Sequence, residues 1–459
     1  MTWRAGFGTA DITTFDPAMC LFGWAVDGNK PYGVAMPLLA RALVLEDPAS
    51  RRRIAYVVCD LGMISESVRR AVAKIVCTSE RGLEEHDLVV TATHTHSGPN
   101  GFSTYMLYAI TAPGVSREVH DAIVAGVVAA IDRAVAALRP ARLWTTSGWI
   151  PASEPIAFNR SIRAYNRNHD VSPVGLERTD DAVDRTMTVL RVDAIEGPPL
   201  GVVAWFAVHG TSLHSDNRWV HGDNKGYASI DFEDRERGAG NAEFVAMFPQ
   251  EAAGDVSPNY RLSTKRGFLI GRYDDDDESA RFNGDTQARH ARMLWAAAPS
   301  EGEELACSLD SALRHRDFFT LEGTSAPRVG LAFSVGTREG RGPFHAIRRA
   351  MPLLVRLQQL SLRWEEPGSW RAAHGAKFPL WDLGFGERNK VLGVLSLVNP
   401  ILRFFSDERV DYSQRALGVP AARDVSWVPR HLPFNILRLG SLSIATLPHE
   451  APTVAEIGR

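Results

Sequence analysis

"DLVVTATHTHSGPNG", residues 87–101, carries the reading of the fold. Its first half is an apolar, β-branched run that predicts a strand, and "SGPNG" is turn chemistry. Two histidines, His94 and His96, stand at the junction. Strand residues at i and i+2 share a side, so both imidazoles are expected to face one way from a strand end, where α/β sheets present ligands. For His-x-His alone two readings stay open: a metal or catalytic site, or two hydrogen-bonded loop histidines. Neutral imidazole is the commonest metal ligand, and hydrolytic zinc sites combine it with carboxylate.

Upstream, "ARALVLED" (40–47) and "RRIAYVVCDLG" (52–62) predict two strands about the turn "PAS", and "SESVRRAVAKIV" (65–76) a helix capped by its first serine. Downstream, "SREVHDAIVAGVVAAIDRAVAAL" (116–138) is a long helix, apolar on more than one face and so expected to lie under other layers. "TMTVLRVDA" (186–194) and "LGVVAWFAVHG" (200–210) read as a strand pair, and "FNILRLGSLSIATLPHE" (434–450) as strand-turn-strand. The alternation predicts an α/β fold, a large catalytic domain of β-sheet flanked by helices, spanning 1–459 without internal repeats. Between about 340 and 420 the character shifts to apolar runs with interspersed arginines, "FHAIRRAMPLLVRLQQLSLRW" (344–364) and "VLGVLSLVNPILRFF" (391–405).

Composition narrows the function classes. The chain has 459 residues, 45% hydrophobic and 23% charged, an ordinary globular balance with ample material for a core. A net charge of −3 provides no field to recruit nucleic acid, so no nucleic-acid partner is expected. The run "DDDD" (274–277) reads as a solvated loop. The four cysteines, Cys20, Cys59, Cys77 and Cys307, form no CxxC pair and no disulfide framework. "MTWRAGFGTADIT" is no signal peptide, and no apolar stretch is long enough to span a bilayer. The chain as written is therefore expected in the cytoplasm, or secreted or periplasmic if its N-terminus is incomplete.

A third histidine, His209 in "WFAVHGTSL" (205–213), again ends an apolar strand, which strengthens the metal reading. "HGDNKGYAS" (221–229) reads as a polar, glycine-punctuated loop. In "AGDVSPN" (253–259), Ser257 precedes a proline and is held away from helical conformation, between Asp255 and Asn259. Familiar alternatives fail. Gly98 and Pro99 stand where a metallo-β-lactamase needs aspartate and histidine. The eightfold rhythm of an amidohydrolase barrel is missing, and Ser257 is not in a G-x-S-x-G elbow.

Taken in order, "FGTADIT", "ATHTHSGPN", "LYAITAPG", "FNRS", "WFAVHGTS", "DNKGYAS", "GDVSPN" and "LPHEAPT" resemble the neutral/alkaline non-lysosomal ceramidases, from about residue 5 to the end and weakest at 340–425. The resemblance implies a zinc-dependent amidase that cleaves the N-acyl bond of ceramide to sphingosine and fatty acid. By matching position it implies zinc ligands His94, His209 and Glu450, a metal-adjacent partner in His96, an active-site serine in Ser257, and Arg160 of "FNRS" as a residue tied to activity. Zinc would stabilise the developing oxyanion as a Lewis acid and lower the pKa of bound water to about 7. Whether Ser257 attacks directly or orients a zinc-bound water stays open. His96 would shuttle a proton to the leaving amine, and Arg160 would hold a polar substrate group or form an ion pair.

The family pattern continues past "PGE" to a tyrosine ligand and a C-terminal β-sandwich. Here "LPHE" carries His449 in place of the glycine, and nine residues follow Glu450, in a stretch that reads as the start of a helix. The expectation is a shortened member that lacks the sandwich and has reduced activity. A zinc amidase for another N-acyl lipid or amine, and a catalytically impaired lipid-binding remnant, remain alternatives. Arg348, Arg349, Arg356 and Arg363, interleaved with Met351, Leu353, Leu354, Val355, Leu357, Leu360 and Leu362, suit either peripheral membrane contact or a core-packed helix edged with arginine.

Overall fold

The computed structural model describes residues 2–24, 26, 28–105, 108, 115–166, 171–317, 328–330, 336–340, 379–383, 389–391, 429 and 431–446, with single positions at 353, 356, 357 and 360. Among them, nine strands form one mixed sheet. In chain order they are β1 (Trp3–Asp11), β2 (Leu39–Asp47), β3 (Arg52–Cys59), β4 (Leu88–Ala92), β5 (Arg139–Trp149), β6 (Thr186–Ala194), β7 (Pro199–Trp205), β8 (Val245–Met247) and β9 (Glu303–Glu304). The spatial order is β8-β7-β6-β5-β1-β2-β3-β4, with β9 added alongside β5. β3 with β4 and β7 with β8 run parallel, and the other neighbours run antiparallel.

Four helices pack on one face: α1 (Glu66–Val76), α2 (Arg117–Ala136), α3 (Asp223–Gly238) and α4 (Asp276–Glu301). α1 and α2 begin where the sequence predicts. Ser65 Oγ accepts the Val68 N–H (3.2 Å), and Ser116 Oγ accepts the Val119 N–H (3.4 Å). α2 buries Val119, Ile123, Val127, Ala130, Ile131 and Ala134 against alternate residues of β1–β3, which gives one continuous apolar layer. Fully burying each of these valines and isoleucines is worth about 1.5–3 kcal/mol. The other face holds Trp3, Ala5, Phe7, Leu43, Tyr56, Val89, Val192 and Val203. Leu437 and Leu439 join this second core from β11 (His431–Leu439), which pairs with β10 (Leu309–Asp317) and β12 (Leu442–Thr446) in a small antiparallel sheet. The flanking expected from sequence is thus one-sided: helices cover one face and strands the other.

The large sheet curls, so that strands remote in its order meet. Trp205 Nε1 donates to Tyr56 Oη (3.1 Å), linking β7 to β3. Thr95, just past β4, makes a parallel bridge with Gly210, just past β7. Gln250 Nε2 donates to Thr93 O (3.2 Å) across the same seam. Gly210 is required there, because a Cβ would stand 2.5 Å from His94 O.

Two local expectations are corrected. "HGDNKGYAS" is not a loop: α3 starts at Asp223, and Asp223, Asn224 and Lys225 are all buried. "DDDD" is solvated as expected at Asp274, Asp275 and Asp277, but it is not wholly a loop, since α4 starts at Asp276. Asp275 caps α4 through the Glu278 N–H (3.0 Å), Asp276 pairs with His214 (2.9 Å) and Arg266 (2.6 Å), and Asp277 accepts from Tyr227 Oη (2.6 Å). Four like charges tolerate this because the helix N-terminus, two arginines (Arg261 and Arg266), two imidazoles (His214 and His221) and the Tyr227 phenol face them. Glu450, the predicted helix start after it, and most of 340–425 lie outside the described residues. Within the arginine-leucine segment, Leu353, Arg356, Leu357 and Leu360 are described, and all are exposed. Among the described residues no helix is long and apolar enough to cross a membrane.

Candidate metal centre

The strand feeding the first two histidines ends at Ala92, and His94 adopts a left-handed backbone (φ 65°). The imidazoles converge because the chain turns there, not because a strand continues through them. His94 N donates to Leu61 O (2.9 Å) and His96 N to Gly210 O (2.9 Å), so each backbone is pinned to a different neighbour. His209 N donates to Val256 O (3.0 Å), and Asn224 Nδ2 donates to His209 O (2.9 Å). The Asp223 carboxylate takes the Ser212 and Leu213 N–H groups (3.2 and 3.0 Å), and Thr95 Oγ1 donates to His221 O (2.7 Å). The sequence motifs around 94–97, 209–213 and 221–225 are therefore one interlocked support.

His94 Nε2 lies 3.0 Å from His209 Nε2 and 3.4 Å from His96 Nε2, and the three residues form a group able to hold a metal ion. The tautomers follow from the other ring nitrogens. His94 Nδ1 faces Gly62 O (2.5 Å) and His209 Nδ1 faces Ala253 O (2.7 Å). A carbonyl only accepts, so both Nδ1 atoms carry the hydrogen and both Nε2 atoms present lone pairs. Two lone pairs at that distance repel unless a cation lies between them. A tetrahedral ion with nitrogen ligands at about 2.0–2.1 Å would separate them by about 3.3–3.4 Å, a few tenths of an ångström beyond the 3.0 Å between His94 Nε2 and His209 Nε2. Metal-bound histidines characteristically donate the second nitrogen to a carbonyl or carboxylate. His94 and His209 do so, whereas His96 Nδ1 has no hydrogen-bond partner among the described residues. The three imidazoles fit a divalent ion, and His94 and His209 are the two whose outer nitrogens are anchored to carbonyls.

Electrostatics favour the unprotonated rings that a metal requires. Burial, and then the Arg160 guanidinium, lower the His94 pKa against the opposing Gly62 bond. Burial pushes His96 well below its ordinary value, with His94 and Arg160 adding to it. Burial followed by Arg160 does the same for His209. Trp24 packs edge-on against the His96 ring (5.3 Å between centroids) and stacks on His214 (5.9 Å).

Arg160 and Ser257 arrive together. Phe158–Asn159 pairs antiparallel with Val256–Ser257, and Asn159 Nδ2 donates to Asp255 Oδ2 (2.8 Å). Arg160 NH2 lies 3.4 Å from His209 Nε2 and donates to Gly254 O (2.8 Å). Its NH1 pairs with Glu339 (3.2 Å), the same carboxylate that accepts the Ser257 hydroxyl (2.5 Å). The structure thus joins His94, His96, His209, Arg160 and Ser257 at one place. Sequence reading missed Glu339, Gly23 and Trp24. Glu339 sits in "TREGRGPF" (337–344), where one acidic residue between basic and glycine neighbours carries no chemical signal.

The family model for neutral/alkaline non-lysosomal ceramidase, N-terminal, matches residues 3–385. The neutral ceramidase of Pseudomonas aeruginosa is 32% identical over an alignment covering 100% of this chain and 62% of the relative. Neutral ceramidase A of Dictyostelium discoideum is 29% identical, over 99% of this chain and 63% of the relative. A solved ceramidase complexed with C2 superposes with a TM-score of 0.72 at 30% identity, covering 97% of this chain and 63% of that one. The crystal structure of the P. aeruginosa neutral ceramidase gives 0.69 at 30% identity, over 97% and 62%. The chain spans a little under two thirds of the length of these relatives. With the large sheet and the histidine cluster both lying within the matched residues, the chain belongs to the neutral/alkaline non-lysosomal ceramidase family, through its N-terminal domain.

Proposed function

We propose that this protein is a zinc-dependent amidohydrolase that cleaves the N-acyl bond of ceramide, releasing sphingosine and a free fatty acid. The observation that carries the reading is the pair of Nε2 lone pairs 3.0 Å apart, each ring fixed through Nδ1 to a carbonyl. His94 and His209 would hold the ion, with Glu450, which the family resemblance matches to a ligand, as the anionic donor. When bound, zinc supplies Lewis-acid stabilisation of charge developing on the amide oxygen. The chain's own groups do the rest. His96, kept neutral by burial and with no Nδ1 partner among the described residues, would take up the proton that the attacking water or serine hydroxyl releases and deliver it to the leaving amine. Arg160 anchors a polar group of the substrate. Ser257 presents its hydroxyl oxygen at the reacting centre. The relatives named neutral ceramidase support the substrate class. The exposed Leu353, Leu357 and Leu360 beside Arg356 support peripheral contact with the bilayer that contains it.

Elemental analysis combined with turnover of a fluorescent N-acylsphingosine tests this. One zinc per chain with turnover is expected, and His94→Ala or His209→Ala should remove most of the metal while the fold survives. Turnover confined to other N-acyl amines would move the substrate to another N-acyl lipid or amine. A chain with neither metal nor turnover would refute the proposal.

A further inference from the structure

We infer that Glu339 is the positioning residue for Ser257: it takes the serine hydroxyl hydrogen, so that Oγ turns a lone pair rather than a proton toward the substrate. The role of Ser257 itself rests on the function proposed above. Glu339 is fully buried, as is Ser257. Its carboxylate collects four donors from three separate segments. Arg160 NH1 bonds Oε1 (3.2 Å), while Ser257 Oγ (2.5 Å), Asn259 Nδ2 (3.2 Å) and Thr211 Oγ1 (3.4 Å) all reach Oε2. Ser257 Oγ in turn accepts the Asn259 N–H (2.9 Å). With its hydrogen committed to a carboxylate and one lone pair to an amide, the hydroxyl has a single rotamer of its O–H bond and one lone pair left to offer. A charge-assisted O–H···O⁻ bond of this length is the strong kind and enriches the electron density on Oγ.

The carboxylate is itself held in place. Glu339 N donates to Thr337 Oγ1 (3.2 Å), and Leu269 N donates to Arg338 O (2.8 Å). Gly340 lies so close to Trp24 that a Cβ would stand 2.4 Å from the indole. The residue that packs on His96 therefore also backs the loop that aims Glu339.

Glu339→Gln is the sharp perturbation, because every neighbour of this carboxylate is a donor. An amide NH2 must face either Arg160 or the Ser257–Asn259 pair. On the serine side it reverses the hydrogen bond, which then delivers a hydrogen to Oγ. The expected result is a kcat lower by about 100-fold with KM and zinc content unchanged, the cost of misdirecting one reacting group. Glu339→Asp should recover part of the loss. In a Ser257→Ala background, Glu339→Gln should cost nothing further, a non-additivity that a purely structural pin would not give. Unchanged kcat in Glu339→Gln, or full additivity with Ser257→Ala, would overturn the inference. If the parent chain turns over no N-acyl amide, the proposed function falls, and the pairing is judged by urea midpoints of the same four proteins. Coupled midpoints then uphold the Ser257–Glu339 contact, and additive midpoints overturn it.

Discussion

Gly23→Ala should separate proton transfer from metal binding. Gly23 has φ 105°, and an ideal Cβ on it would stand 2.5 Å from His96 Cγ, 2.6 Å from Nδ1 and 2.8 Å from Cδ2. Carbon atoms in contact settle at about 3.5–4.0 Å, so the ring must move by about 1 Å. It cannot move freely, because the Trp24 edge and the His94 and His209 rings already surround it, with centroids 5.3, 4.9 and 5.2 Å away. A displacement of that size at a proton-transferring group costs about 100-fold in turnover. The left-handed backbone adds about 1–2 kcal/mol of strain for alanine, readable as a lower urea midpoint. Zinc should stay, since His94 and His209 are anchored through Gly62 O and Ala253 O, away from Gly23. The assay is N-acylsphingosine turnover alongside elemental analysis. Undiminished turnover would refute the role given to His96, and zinc lost together with turnover would make His96 a ligand.

Arg41→Met should be costly at neutral pH. Arg41 is buried between Asp60 (2.9 Å) and Glu233 (2.8 Å), joining β2 to α3, and burial holds the Asp60 carboxyl above its ordinary range despite the guanidinium. Removing the cation strands two buried carboxylates at a cost of about 3–5 kcal/mol, shrinking as acid protonates them; a urea unfolding cost below about 1 kcal/mol at pH 7 would contradict this. Lys225 supplies a pH signature. Burial lowers its pKa from 10.5 to about 7, with Nζ donating to Phe206 O (2.8 Å) and Gln287 Oε1 (3.3 Å). Below pH 7 both folded and unfolded chains hold the proton and the burial penalty is complete. Between about 7 and 10.5 only the unfolded chain does, so this residue makes stability rise with pH, by up to about 4–5 kcal/mol. Lys225→Met should flatten that rise, and an identical pH profile in the variant would count against the buried, neutral lysine.

The parts of the fold legible in the sequence were those governed by local rules. The serine caps at Ser65 and Ser116 and the paired strands at 186–194 and 199–205 follow from nearest-neighbour chemistry. Polar stretches misled where tertiary partners absorb their charge: Asp223 and Asn224 satisfy backbone and side-chain groups at 209–213, and Asp276 is claimed by His214 and Arg266. The site was legible as residue types, not as roles. His94 and His96 announced themselves, but which ring lacks a partner at Nδ1 depends on Gly62 O and Ala253 O, which no motif encodes. Glu339 was invisible because its partners come from 160, 211, 257 and 259.

The seam between Thr95 and Gly210 makes the histidine cluster depend on closure of the sheet. The two facing nitrogens are 115 residues apart in sequence, and they approach only when strands from remote parts of the sheet are already wound around a common interior. Closing so long a loop is paid for by the sheet and helices, not by the ion. A nascent or partly unfolded molecule has single imidazoles but no assembled histidine cluster to hold a cation. In a destabilised variant the seam should part first, with catalysis failing while most of the helix signal persists.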